Sequence, residues 1–361
     1  MKKIFALSAV LFSFFISNTF CEDFPSWKIL EKAQLNFDIG NYSESLKLAN
    51  ESAKVRKNEI LNEFNILEIS LSSSQVKRAG NEIDSVIEVL TEREEKDSIS
   101  IINKYVSLYT KDFFNDDVHV LAKWLKEKQN YPEAYYLIGQ IYQIEGETEV
   151  ALQFYQKALE SQNYLDINEC KFDILLSMAQ IYKSQQKNDD LEKTLLLILD
   201  NDETFKNQQF VNSLYNTIKN DKPNSVNKLF ILFRGYSKYS IKALYELSLL
   251  YDSYGVADKS LQLIALTCVE SFTHILEILL DRDVIYKFTD LEDFFNECKK
   301  YEDILEWARI NNVFEAFYLF ADKTFQQNYT NFATELFSIL AKSLPDEKYK
   351  NLSYNKLKML E

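Results

Sequence analysis

From Pro132 to Leu159 the chain reads PEAYYLIGQIYQIEGETEVALQFYQKAL, with apolar positions at helical spacing on both sides of one glycine. Tyr135, Ile138, Gly139 and Tyr142 fall on one face of a first helix, and Gly146 breaks the pattern. Ala151, Tyr155 and Ala158 resume it on a second helix. Small residues at Gly139 and Ala151 let two backbones come close, and Tyr142 and Tyr155 fill the space beside them. Pro132 suits a first helical turn, where its missing N–H is not needed. The stretch predicts two short helices joined by a turn.

The same spacing recurs. Between Trp27 and Ala53, Ile29, Ala33 and Phe37 lead to Gly40, and Tyr42, Ser45, Leu46 and Ala49 follow. Ala33, Gly40, Ser45 and Ala49 are spaced like Gly139, Gly146, Ala151 and Tyr155, with Asn36 in place of the aromatic. From Phe172 the pattern returns through Met178, Ala179, Tyr182, Leu195 and Ile198, but Leu191 takes a small-residue position, which predicts a looser pair. Ile241 to Thr267 repeats it with Leu244, Leu247, Ser248, Tyr251, Gly255, Ser260 and Ile264. Phe314 to Leu344 does so with Phe317, Phe320, Ala321, Phe325, Ala333, Phe337 and Ala341, and Pro345 stops it.

The intervening stretches are helical without the signature. Residues 58–94 read as a pair with a turn near Ser73, and the charged run Glu92 to Asp97 reads as a solvated helix end and loop. In 98–128, Ile101, Tyr105 and Leu108 line one face and Leu121, Trp124 and Leu125 the next. Residues 202–240 predict irregular helices broken at Pro223, with a sub-domain boundary near 220–225. Residues 269–312 read as helical, and 348–361 as a polar capping helix or a frayed tail.

The spacing of Gly139, Gly146, Ala151 and Tyr155 resembles the tetratricopeptide-repeat (TPR) family, whose unit is ~34 residues long. The resemblance is closest over 132–159 and implies an all-α fold, an α-solenoid of antiparallel helix pairs, some divergent. It also implies that first helices line a concave groove and that the chain holds another protein or peptide. Carried onto the matched segments, the contact positions are Tyr136, Gln140 and Gln143, then Leu176, Gln180 and Lys183. They continue with Tyr245, Leu249 and Asp252, then Tyr318, Asp322 and Phe325.

Composition narrows the classes. Hydrophobic content of 46% excludes a disordered chain, and 22 Tyr and 26 Phe against 6 Gly and 4 Pro describe aromatic-packed helices with few tight turns. Gly40, Gly146 and Gly255 fit turns, Gly139 a crossing, and Gly80 and Gly235 helix ends, so no glycine is left for a phosphate loop. A net charge of −14 disfavours nucleic acid and anionic lipid, keeps the chain soluble, and suits a basic partner segment.

Residues 1–21 have the layout of a secretory signal peptide. Lys2 and Lys3 precede an apolar run from Ile4 to Ile16, too short to span a bilayer comfortably, and Ser17, Thr19 and Cys21 offer small-residue cleavage positions. This predicts an exported protein, periplasmic in a bacterium, or secreted, with no membrane span. Acylation of Cys21 is the alternative, against which Phe20 is bulky for a lipoprotein site.

The chemistry-bearing residues are sparse. His274 and Glu277 stand three apart at metal-ligand spacing, with Glu270 the next acid on that face, but two ligands do not make a site. Cys21, Cys170, Cys268 and Cys298 form no CxxC; Cys268 and Cys298 read as small core hydrophobes, and one disulfide is left open. Clusters such as Glu292 with Asp293 and Glu302 with Asp303 read as solvated helix faces. No catalytic, cofactor or metal motif stands out. The expected function is an exported, non-catalytic interaction scaffold. Its runner-up is a lipid-anchored component of an envelope-assembly machine; an enzyme with a helical shell has no motif behind it.

Overall fold

In the computed structural model, residues 24–235, 237 and 239–360 are described. The expected signal peptide, its cleavage positions and Cys21 lie outside the described residues. Among the described residues the chain is helical and contains no strand. It divides into two units between Ile141 and Tyr142. Residues 220–225 lie inside the second unit, where Asp221 accepts from the Phe332 N–H at 2.8 Å and binds Asn331.

The first unit contains α1 (Ser26–Asp38), α2 (Tyr42–Leu71), α3 (Ser74–Ala79), α4 (Ile83–Glu92), α5 (Lys96–Tyr109) and α6 (Val118–Lys128). It also holds most of α7 (Pro132–Ile144). α2 is its organising element: thirty residues long, it packs on α1, α5 and α6. The expected end near Ala53 is absent, because Lys54 to Glu63 contains no glycine or proline to stop the helix. The turn near Ser73 is present, with the Ser73 hydroxyl accepting from the Val76 N–H as an N-cap. Ile60, Leu67, Ile83, Val86, Leu90, Ile102, Phe114, Val118 and Leu121 form the core, whereas Leu108 is exposed rather than on the packed face.

The second unit contains α8 (Thr148–Glu160), α9 (Cys170–Ser184), α10 (Asn188–Leu199), α11 (Glu203–Lys206), α12 (Gln208–Lys219), α13 (Ser225–Leu232) and α14 (Ile241–Ser253). It continues with α15 (Ala257–Arg282), α16 (Leu291–Cys298), α17 (Glu302–Ile310), α18 (Val313–Gln326), α19 (Thr330–Ser343) and α20 (Glu347–Leu360). Packing runs α8, α9, α10, α14, α15, α18, α19, α20, each on the next. α12, α13 and α16 fill in across that row, against α15 and α19. Phe272 of α15 lies 5.1 Å from Phe230 and 4.7 Å from Phe294, and Phe317 lies 5.1 Å from Phe295. These rings tie α13, α15, α16 and α18 together and contribute attraction beyond their buried area. α15 has a mean hydropathy of 1.7 over an 18-residue window, enough for a membrane span by length and composition, yet most of that window is buried inside the unit.

Six helix–helix turns share one backbone. In each, a residue with φ between +56° and +84° (Gly40, Glu94, Gly146, Gln186, Gly255 or Asn328) ends one helix. The next residue has φ between −80° and −90° and ψ between 61° and 70°. Its N–H donates to the carbonyl five residues back at 2.8–3.0 Å, as in Glu147 to Tyr142 and Val256 to Tyr251. This closure satisfies a helix-end carbonyl and favours glycine at the left-handed position. Glu94 places such a turn inside the charged run Glu92 to Asp97, which joins α4 to α5.

Candidate functional site

Where α9 and α10 pack beside α14, the structure leaves a cleft of about 140 Å³. Four of the expected contact residues line it: Leu176, Gln180 and Lys183 from α9, and Tyr245 from α14. Ala179, Leu191 and Leu195 form its apolar wall, so the opening lies where Leu191 replaces a small residue. Lys183 Nζ reaches Glu246 at 2.6 Å, and Lys242 stands on the same wall. Tyr245 is buried, and that burial, with Glu315 nearby, pushes its hydroxyl pKa up. The cleft is sized for a side chain, and its charges are already partly paired.

The other expected residues are placed differently. Tyr136 and Gln140 are half-buried on α7 in the first unit. Gln143, in the second unit, accepts from the Tyr155 hydroxyl at 2.6 Å, beside the Tyr142–Phe154 ring stack. Leu249 and Phe325 are half-buried against the second unit's core. Asp252 is taken by the buried ammonium of Lys323 at 2.6 Å. Asp322 is taken by Lys356 at 2.7 Å, and the ring of Tyr349 lies 5.8 Å from Tyr318. Lys356 and Tyr349 belong to α20, so the closing stretch is a helix that covers Tyr318 and Asp322. Internal cations neutralise the acids expected to steer a basic segment.

A second, larger hollow of about 450 Å³ lies between the start of α11, Gly235, Ser237 and Tyr239, and the middle of α15. Glu270, His274 and Glu277 line it at the helical spacing noted in the sequence, and Asn201, Asp202, Glu203, Thr204 and Tyr239 line the facing side. Asp202 is buried, and its Oδ1 caps α11 by accepting from the Thr204 and Phe205 N–H groups at 2.8 and 3.1 Å. Glu270 is 2% exposed, and its oxygens and Asp202 Oδ2 receive no hydrogen bond from any other described group, the two carboxyls facing each other within hydrogen-bonding reach. Burial pushes the Glu270 carboxyl well above the usual range, and the neighbouring Asp202 carboxylate pushes it further. Gly235 serves close approach here rather than helix termination: an added Cβ would overlap the Glu270 side chain. Among the described residues no three His, Cys, Asp or Glu groups converge to hold a metal ion.

Asp202 is the residue that sequence reasoning missed. It caps a four-residue helix far along the chain from Glu270, and nothing in its local pattern points to α15.

No family model matches the chain. Over 343 residues it is 24% identical to an uncharacterized protein of Treponema pallidum (strain Nichols), an alignment covering 92% of this chain and 90% of that protein.

Proposed function

We propose that the chain is an exported, non-catalytic scaffold of TPR-like helix pairs that holds a segment of another protein. The observation that carries this reading is the recurrence of one turn backbone at Gly40, Gly146, Gln186, Gly255 and Asn328. Each of these joins helices in a segment that carries the TPR-like spacing. Repeated pairs of this kind present extended surfaces to partners. The cleft at Leu176 supports the reading by offering an apolar wall with polar groups at its edge, the usual make-up of an anchoring pocket. The export part rests on Lys2, Lys3 and the apolar run to Ile16.

Cross-linking capture with the purified chain as bait tests the scaffold reading. A partner of the cleft is held by the wild type and by Gln153→Ala, which alters an exposed residue, and is lost with Leu176→Asp at unchanged melting temperature. Equal capture by all three rejects the cleft. Intact mass of the protein from its native source tests export: loss of the first 21 residues or so supports it, and an uncleaved chain rejects it.

A further inference from the structure

We propose that the hollow beside α15 binds a small linear polyamine, with one ammonium group held between Glu270 and Asp202. Four acids line the hollow in two tiers. Glu270 and Asp202 are buried at its floor, whereas Glu203 and Glu277 are exposed at its mouth. Two oxygens of Glu270 and Oδ2 of Asp202 at the floor receive no hydrogen bond from any other described group, and the two carboxyls lie within hydrogen-bonding reach of each other. Two adjacent carboxyls cannot both ionise cheaply there, so a proton or a cation must sit between them.

The shape selects an organic cation over a metal ion. A volume of about 450 Å³ far exceeds a bare ion, and the described acids and histidine do not converge for coordination. Glu270 and Glu277 are two turns apart on α15, about 10.5 Å along the axis. A single ammonium cannot reach both tiers, whereas a polyamine chain can. The wall between them is mixed: the Tyr239 ring, stacked at 4.9 Å on Phe172, makes it aromatic, and the Thr204 side chain lies beside it. On binding, the ammonium takes the place of the shared proton, which leaves to solvent.

Spermidine, propylamine and magnesium chloride, each added to the purified full chain at matched ionic strength, test this by calorimetry and thermal denaturation. Spermidine is expected to bind and raise the melting temperature, with propylamine and magnesium at least tenfold weaker. Glu270→Gln should weaken spermidine at least tenfold. Glu277→Gln, at the exposed mouth where folding is not at risk, should weaken it several-fold, and Glu145→Gln, exposed elsewhere on the unit, should not change it. No spermidine binding, equal binding by the Glu270, Glu277 and Glu145 variants, or a magnesium response matching spermidine's overturns the proposal.

Discussion

The hydroxyl of Ser260 donates to the backbone carbonyl of Ser248 at 2.7 Å across the α14–α15 pair, both residues fully buried. Ser45 does the same to Ala33 at 2.8 Å across α1 and α2, also twelve residues apart. The small-residue position is therefore more than a gap: where it is serine, it clips the second helix to the first. Removing the hydroxyl by Ser260→Ala should cost about 0.5–1.5 kcal/mol, a typical net hydrogen bond. Ser260→Leu should cost more, about 1–3 kcal/mol, by forcing the helices apart. Urea midpoints that rank Ser260→Leu as the milder change would show that the crossing has room.

Gln186 holds the left-handed turn position with φ 56° and an exposed side chain, where three of the six turns have glycine. L-residues lose roughly 1–2 kcal/mol in that conformation; glycine avoids this loss, but its freer unfolded state offsets part of the gain. Gln186→Gly should therefore stabilise by a few tenths to about 1 kcal/mol. Gly255→Ala should destabilise by about 1 kcal/mol, although no atom lies within 4 Å of an added Cβ. Denaturation curves for the two variants should shift in opposite directions.

Glu270 should make stability pH-dependent in a predictable sense. Burial first, and the neighbouring Asp202 second, raise its carboxyl pKa in the folded chain well above the value it has once unfolded. A raised folded value means its contribution is complete below the ordinary glutamate range and lost as pH rises through the folded value. Glu270→Gln should thus match wild type near pH 4 and exceed it at pH 8, the gap widening steadily between. The difference between the two midpoints, measured at several pH values in the absence of amines, isolates this group from all others that titrate.

Deleting residues 346–361 should uncover the second unit's last pair. Tyr349, Leu357 and Leu360 of α20 are half-buried against the core, and full burial of such a side chain contributes about 1.5–3 kcal/mol, so the loss should be at least about 2 kcal/mol. The Tyr318 and Phe337 rings, 6.1 Å apart, would then face solvent. Light scattering should show self-association of the truncated chain, whereas Lys356→Ala, which removes only the tie to Asp322, should remain as dispersed as wild type.

What could be read from the sequence follows what depends on near neighbours. Gly40, Gly146 and Gly255 announce their turns because a left-handed residue selects glycine; Gln186, Asn328 and Glu94 hold the same conformation without that signal, and the charge around Glu94 reads only as a solvated helix end and loop. The all-helical class followed from periodicity. The unbroken course of α2 did not, because a repeat-length frame suggested an end that no residue enforces. Four of the expected contact residues converge on one cleft, yet Tyr245 is buried and Tyr318 lies under α20. A polar terminal helix carries no sequence signal for what it covers. The meeting of Asp202 with Glu270 is a product of tertiary packing, and only the α15 half of it had any local pattern.

α15 has a consequence for biogenesis. Under the export proposed above, a segment carried across a bilayer must not be retained there, and this helix is long and apolar enough to cross one. Glu270 sits near its midpoint, with Thr267, Ser271, Thr273 and His274 around it. An ionisable side chain at the centre of a translocating helix opposes partitioning into lipid by roughly 2.5–3.5 kcal/mol on the scale known for Asp, Lys and Arg. The carboxyl that is costly in the folded core would, on this account, keep the nascent segment moving through the translocation channel, so Glu270→Leu should trap exported chains in the membrane.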